Sequence, residues 1–485
     1  MLLSELFEGL PENDIKQLSI DSRLPMKDCI FFCLEGIRYN GHEFVEEAIK
    51  NGAKVIVYDD ESINTSLDAT FIKVSDVADC LNEIAAKFYN YPSRKLETYI
   101  AGGCDGNSSV SYLISSLLSN YKSTASIGVL GIKYKDKHLL SNSPSLTILD
   151  NQKYLNEFVK NDVKACILEA NAMSLSYKKL DSINPDVFVY TTTNEQSSDY
   201  RELGRNYFDI MCSYFYTLDA STKIVLNRDD IGYNELIKAI PDNFYSYGTN
   251  IKSDYVIKHI VLESNQSSFE LVHNDEKYTI KTKLIGLENV YNLTASLVSL
   301  NIMGYSLFEL SLLVPVVEPL TGIYEPILLN QGYNVIVDNA IDINSISKLY
   351  DFARKITHIN RKLYVILGIS STDDDDFLKD FINITKEKAD HLIITEKNTY
   401  NGDIFNVIDE YHEIFNTINK IVIEDRKIAI ESTIDLLSKG DTLLIIGKGY
   451  EQFIIRNMGK ESYDGDSNVA INAINKRIIE ENIND

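Results

Sequence analysis

The sequence predicts an α/β protein built on parallel sheets, and three observations carry that expectation. Short β-branched runs alternate with amphipathic helical stretches along most of the chain, the pattern of sheets covered by crossover helices. A single block of alternating strands near residues 245–285 breaks the pattern, and from about residue 332 a fresh set of strands and helices begins. A chain of 485 residues has length for about three ordinary domains.

Taken in order, HEFVEEAIKNG reads as a helix closed by Gly52, and AKVIVYDD (53–60) as the strand that follows it. LETYIAGG is a strand that passes through a glycine-containing turn into the helix VSYLISSLLSNY. KACILEA, PDVFVYTTT and KIVLNRDD are strand candidates that end in polar residues. YVIKHIVLE, SFELVHN and KYTIKTKL read as an antiparallel insert, followed by the helix NVYNLTASLVSLNIMG. The last set comprises YNVIVDNA, KLYVILG, HLIITE, KIVIED and DTLLIIG. YPSRK near Ser93–Leu96 and the prolines Pro315 to Pro319 interrupt the pattern, which places domains at 1–95, 96–316 and 317–485. The acidic run Asp373–Asp376 reads as a solvated loop or a helix start, where carboxylates suit the positive end of the helix dipole.

Composition narrows the function classes. With 47 Lys+Arg against 71 Asp+Glu, the formal net charge is −24, so nucleic acid and anionic membrane surfaces are repelled. The acidity itself accords with solubility. Six cysteines (Cys29, Cys33, Cys80, Cys104, Cys166, Cys212) lie scattered in apolar stretches, without disulfide-scaffold density or zinc spacing, and read as free thiols in a reducing compartment. The N-terminus carries acidic residues where a signal peptide needs positive charge, and no apolar stretch reaches bilayer-spanning length. The expectation is a cytoplasmic protein.

Three stretches carry a resemblance. The first, residues 21–60, contains Asp21-Ser22-Arg23, Asp28, Phe31, Gly36, Gly41-His42 and Gly52-Ala53. The second contains Gly286 and Asn289-Val290-Tyr291-Asn292. The third is DTLLIIGKGYEQ (441–452), flanked by Asp425-Arg426 and Tyr463-Asp464. In this order the chain resembles the Mur ligases of MurE type from about residue 20 to 475. The resemblance implies a three-domain α/β fold: a uridine-nucleotide-binding domain, a P-loop-like central domain and a Rossmann-like C-terminal domain. It also implies ATP-driven amide-bond formation with magnesium, through an acyl phosphate on a muropeptide carboxylate.

The positions that would run this reaction depart from the family's pattern. Gly103-Cys104-Asp105-Gly106-Asn107-Ser108-Ser109 occupies the phosphate-loop position between a strand and a helix. Asn107 stands where the family has lysine, and Ser108 and Ser109 where it has threonines. The resemblance assigns Gly106 and Ser108 to the nucleotide phosphates, Glu169 to magnesium, Asn289 and Asn292 to adenine, and Asp338 to the nucleotide. Met173 replaces a magnesium-holding histidine, a soft thioether where a hard cation favours oxygen. Gln196 and Ser197 replace an Asp-His pair, while Asp199 and Tyr200 remain. Met211 falls where the family carries a carbamylated lysine, and helical spacing to Tyr207 and Phe215 makes it a core residue. Ile323 replaces a nucleotide-contacting arginine, Ile341 a histidine and Ile343 a proline. The amino-acid signature falls on Lys397-Asn398-Thr399-Tyr400, with Tyr400 in place of the carboxylate-gripping arginine. Ser22, His42, Asn398 and Glu451 are the substrate-side candidates. The plain alternatives for the first two are a turn serine and a surface histidine.

Three functional readings stay open at this point. The first is a non-catalytic homologue that binds a UDP-muropeptide or partners a cell-wall synthesis protein, with ATP and magnesium binding weak or lost. The second is an active amide ligase whose missing charge comes from Lys133 or Lys448. The third is an interaction protein presenting some of its 30 tyrosines.

Overall fold

The computed structural model describes residues 1–36, 39–140, 145–193, 207–240, 243–340, 342–373, 375–400, 404–410, 412–457 and 459–484. The chain forms two compact units. One comprises Met1–Glu195, Asp199–Leu226 and Asp230–Tyr245; the other comprises Gln196–Ser198, Asn227–Asp229 and Ser246–Asp485.

The first unit opens with a parallel sheet of four strands in sequence order: β1 (Gln17–Ser19), β2 (Cys29–Phe32), β3 (Ala53–Tyr58) and β4 (Thr70–Lys73). Its inner strands are buried on both faces, which explains why CIFF and VIV read as unbroken apolar runs. Ile30, Phe32, Val55 and Val57 pack toward the helix Val77–Phe88, whereas Cys29, Phe31, Cys33 and Ile56 pack with Val45 and Ala48 of the helix Val45–Lys50. All six cysteines are free.

The larger sheet of this unit contains β5 (Glu97–Gly102), β6 (Thr124–Gly128), β7 (Gly131–Tyr134), β8 (Lys137–Leu139), β9 (Ala165–Ala170), β10 (Val187–Tyr190) and β11 (Lys223–Asn227), in the order β11-β10-β5-β9-β6-β7-β8. The strands from β11 through β6 pair in parallel; β7 and β8 then fold back antiparallel. Strand order reverses at β5, so the loop at its carboxyl end lies at the topological switch point, where open α/β sheets bind ligands.

In the second unit, β12 (Phe244–Gly248) pairs in parallel with β13 (Tyr255–Leu262), and β14 (Ser267–His273) and β15 (Glu276–Thr282) complete the expected antiparallel insert. The helix Leu287–Asn301 follows. A second α/β sheet contains β16 (Glu325–Pro326), β17 (Asn334–Asp338), β18 (Leu363–Ser370), β19 (His391–Asn398), β20 (Lys420–Val422) and β21 (Thr442–Ile446), in the order β16-β17-β21-β18-β19-β20. Its alternation is regular: Ile336, Val365, Leu367, Leu444 and Ile446 face one core, and Val335, Val337, Ile366, Leu443 and Ile445 the other. A hairpin of β22 (Phe453–Arg456) and β23 (Gly459–Ser462) precedes the terminal helix Asp466–Asn484.

The run beginning at Asp373 opens the helix Asp375–Lys388, as one of its two readings expects. Asp373 itself is half-buried rather than solvated, and its carboxylate accepts the Ser370 N–H at 2.8 Å. No described helix is long and apolar enough to cross a membrane.

One buried ion pair ties this unit's last helices together. Arg426 and Asp466 are both fully buried and bonded in a fork, Nε and Nη2 each 2.7 Å from a carboxylate oxygen. Tyr463 adds a hydroxyl to Asp466 at 2.8 Å. Removing one partner strands the other charge in the interior. Asp466→Ala is therefore expected to lower the unfolding free energy by about 3–5 kcal/mol, read as an earlier urea midpoint; a loss under about 1 kcal/mol contradicts this role.

Candidate functional site

The phosphate-loop position is built as the sequence expects, with β5 leading through Gly103–Gly106 into the helix Asn107–Leu118. Two glycines are required by geometry. Gly103 has φ +142, and a Cβ there would lie 2.0 Å from Thr191 Oγ1; Gly106 caps the helix at φ 82. Helix starts bind anions through free N–H groups. In this loop two such groups are already engaged by the loop's own side chains. Asp105 Oδ1 accepts the Gly106 N–H at 2.9 Å, and Asn107 Oδ1 accepts the Ser108 N–H at 2.9 Å. The loop contains no cation, and Asp105 adds a negative charge.

Glu169, near the end of β9, reaches under this helix start. Its Oε2 accepts the Ser108 hydroxyl at 3.0 Å and the Val129 N–H at 3.1 Å. The carboxylate fits only because residue 128 is glycine: a Cβ there would lie 2.1 Å from Glu169 Oε1. Burial pushes its pKa up to about 7, against the pull of the Val129 and Ser108 hydrogen bonds and of Lys133. The pair Ser108 and Glu169 supplies hard oxygen donors, and magnesium commonly takes only one or two protein oxygens, with waters and phosphates filling the rest. These two residues fit such an ion. The self-engaged loop is a poorer match to the nucleotide phosphates. Among the described residues, no group of three His, Cys, Asp or Glu could hold a metal.

The replaced positions are structural where they are described. Met211 is fully buried in the core with Phe188, Tyr214 and Phe215. Met173 lies on the short helix Ala172–Ser176, half-buried, and Asn171 caps that helix by accepting the Ser174 N–H at 2.8 Å. Gln196, Ser197, Asp199, Tyr200 and Ile341, together with the side chain of Tyr207, lie outside the described residues.

Around the four-stranded sheet, Ser22 follows β1 and His42 follows β2, so both come from the carboxyl ends of parallel strands. Ser22 donates to Glu47, and its carbonyl accepts Asn51 Nδ2 at 2.7 Å. His42 is not a surface histidine: its side chain is only 7% exposed. The ring is fixed on both sides, with Nδ1 2.7 Å from Asn40 Oδ1 and Nε2 3.0 Å from Asp59 Oδ1. Nothing in the sequence spacing of Asn40 and Asp59 ties them to His42.

In the second unit, Asn289 and Asn292 are one helical turn apart and buried, and Asn289 Nδ2 donates to the Ile285 carbonyl at 2.9 Å. Both oxygens of Asp338 accept backbone N–H groups, from Tyr324 at 2.7 Å and Ala340 at 2.6 Å. Ile323 is half-buried in the same turn, and Ile343 begins the helix Ile343–Ile356. Asn398 and Glu451 are brought together by a residue that the sequence offered only as a spare charge. Lys448, fully buried, donates to Glu451 Oε2 at 2.7 Å and to Asn398 Oδ1 at 3.3 Å. Burial lowers its pKa despite the Glu451 carboxylate. Asn398 Oδ1 also accepts the Ile455 N–H at 2.9 Å. Beside them, Arg456 pairs with buried Glu396 and with Glu461, a pairing between residues 60 apart in the chain that no local motif signals.

Comparison with known proteins gives a coherent result. Three family models match in order: "Mur ligase family, catalytic domain" over residues 14–89, "Mur ligase middle domain" over 101–300, and "Mur ligase, glutamate ligase domain" over 324–449. A UDP-N-acetylmuramyl-tripeptide synthetase of Oceanobacillus iheyensis is 29% identical, covering 96% of both chains. A UDP-N-acetylmuramoyl-L-alanyl-D-glutamate–2,6-diaminopimelate ligase of Clostridium acetobutylicum is 27% identical over 95% of both. A solved structure of a ligase of the latter name superposes with TM-score 0.70 at 21% identity, over 99% of both chains, and shows the shared three-domain α/β fold.

The buried carboxylate makes a pH-dependent contribution with a defined sign. Glu169 has an ordinary pKa of 4.5 and a folded one of about 7, so between those values the folded state keeps a proton that the unfolded state has released. Stability therefore falls as pH rises through that window and is level above it. In magnesium-free buffer, Glu169→Gln is expected to remove this slope, worth on the order of 2–3 kcal/mol. Parallel stability profiles of the wild type and the variant between pH 4.5 and 7 contradict the assignment.

Proposed function

We propose that this chain, which belongs to the Mur ligase family, acts as a MurE-like protein of peptidoglycan precursor synthesis that binds a UDP-muramoyl peptide but drives the ATP-dependent step slowly or not at all. The observation that carries the second half is the phosphate loop. Asp105 and Asn107 occupy the N–H groups of Gly106 and Ser108, and no lysine stands at 107. The family depends on ATP and magnesium, and phosphoryl transfer relies almost wholly on positioned donors and cations. Loss of one such donor costs about 10²–10³ in rate. Met211 supports the same reading, since a methionine packed among aromatic rings supplies no oxygen to a metal.

The binding half rests on Ser22 and His42, which stand at the carboxyl edge of an intact parallel sheet, and on Asn398 and Glu451, joined through Lys448. Gly106, Ser108, Asn289, Asn292 and Asp338 remain the nucleotide-side residues of the proposal, and Glu169 the magnesium residue. Domain limits near 95 and 316 belong to the same reading. A homologue that binds without turnover would act on a cell-wall synthesis protein, as a scaffold or sensor. Recognition of diaminopimelate by an arginine at position 400 is not part of the proposal, because that residue is tyrosine.

A second reading, an active ligase, is favoured by one observation. The Ser108–Glu169 oxygen pair fits magnesium, and Lys133 stands close enough to act on the charge of Glu169.

The test pairs binding with turnover. UDP-N-acetylmuramoyl-L-alanyl-D-glutamate is titrated calorimetrically, then incubated with MgATP and a panel of amino acids beside the Clostridium acetobutylicum relative. Binding with ligation at least about 10²-fold slower than the relative is expected. Ligation at the relative's rate selects the active-ligase reading, and no heat at millimolar ligand removes the binding half.

A further inference from the structure

A polar cavity runs from Ser108 at the helix start along the flank of the helix Asn107–Leu118, facing the hairpin β6–β7. Its volume is about 260 Å³. Where a helix packs on a sheet the interface is ordinarily apolar, but here hydroxyls line it. Ser108, Ser111 and Ser115 face it from the helix, and Ser126 and Lys133 from the hairpin. Ser126 and Lys133 are cross-strand partners and so present their side chains on one face.

Two observations point to a missing ligand. Ser111 is 3% exposed and its Oγ has no hydrogen-bond partner among the described residues, whereas buried hydroxyls are nearly always satisfied. Lys133 is half-buried and makes no ion pair with any described residue; Glu169, at the cavity's edge, has already turned Oε2 to Ser108 and the Val129 N–H.

We propose that this cleft is a binding subsite for a phosphate-type oxyanion, held by the Lys133 ammonium and the Ser111 and Ser126 hydroxyls. A half-buried ammonium and hydroxyls free to donate complement an anion of this kind. The desolvation that lowers the Lys133 pKa is the cost that a bound anion offsets. The volume admits a phosphate with further atoms attached. The cavity shares Ser108 and Glu169 with the phosphate-loop site, whereas the proposed anion ligands Lys133, Ser111 and Ser126 lie outside the loop.

The test is equilibrium binding of inorganic phosphate, and in a second arm glycerol phosphate, to the full chain. Lys133→Met is expected to weaken binding at least about tenfold and Ser111→Ala about threefold, by loss of a charged and a neutral hydrogen bond. Ser111→Ala should fold as well as the wild type, because the hydroxyl it removes makes no bond. Tighter binding of the ester identifies an anion carried on an organic molecule, and equal binding identifies the free ion. Absence of binding at 10 mM (about the weakest affinity that a built site should show) overturns the proposal. So does wild-type affinity in Lys133→Met.

Discussion

A carboxylate under a helix start is the constraint around which the first unit is arranged. Glu169 projects from β9 toward the beginning of the helix Asn107–Leu118, into space that exists because residue 128 has no side chain. Desolvation opposes its charge, and the Val129 N–H, the Ser108 hydroxyl and the charge of Lys133 offset part of that cost. The two hydrogen bonds tie the helix start to the end of β6, so the loop, the helix and the hairpin that follows β6 share one anchor. A group held this way has a proton affinity near neutrality, which makes it responsive to any cation brought beside it.

The same logic of strand ends recurs in each sheet. Parallel strands direct their carboxyl ends to one side, and the candidate residues fall there: Ser22 and His42 after β1 and β2, the loop after β5, Asp338 at the end of β17, Asn398 at the end of β19 and Lys448 after β21. What differs between these places is how far their polar groups are already spent on one another. Asp338 and Asn289 are bonded to backbone, and Lys448 holds Asn398 and Glu451 together inside the protein. The Mur ligase fold is kept, and several of these polar groups bond within the protein.

Most of the architecture was legible because fully buried strands leave long apolar runs, as in VIVY, ACILEA, VFVY and TLLII, and because the antiparallel insert alternates cleanly. The hairpins β6–β8 and β22–β23 escaped notice. Their strands are three to five residues long, several are exposed on one or both faces, and so they carry little apolar signal. Site chemistry was legible as residue identities and illegible as partnerships. Lysine missing at 107 is plain from the sequence, but the capture of the Ser108 N–H by Asn107 is not. His42, a substrate-side candidate whose plain alternative is a surface histidine, is enclosed by Asn40 and Asp59, and the pairing of Glu396 with Arg456 spans chain segments that only the fold brings together.

The proposed function requires a loop that does not grip the nucleotide phosphates, its donors being occupied and its cation absent. Calorimetric titration of MgATP into the wild type and into Asn107→Lys tests it most directly. No saturable binding below about 1 mM is expected in the wild type, and a gain of at least about tenfold in the variant, the effect of one charge-assisted hydrogen bond. Micromolar binding by the wild type, unimproved by the lysine, contradicts it.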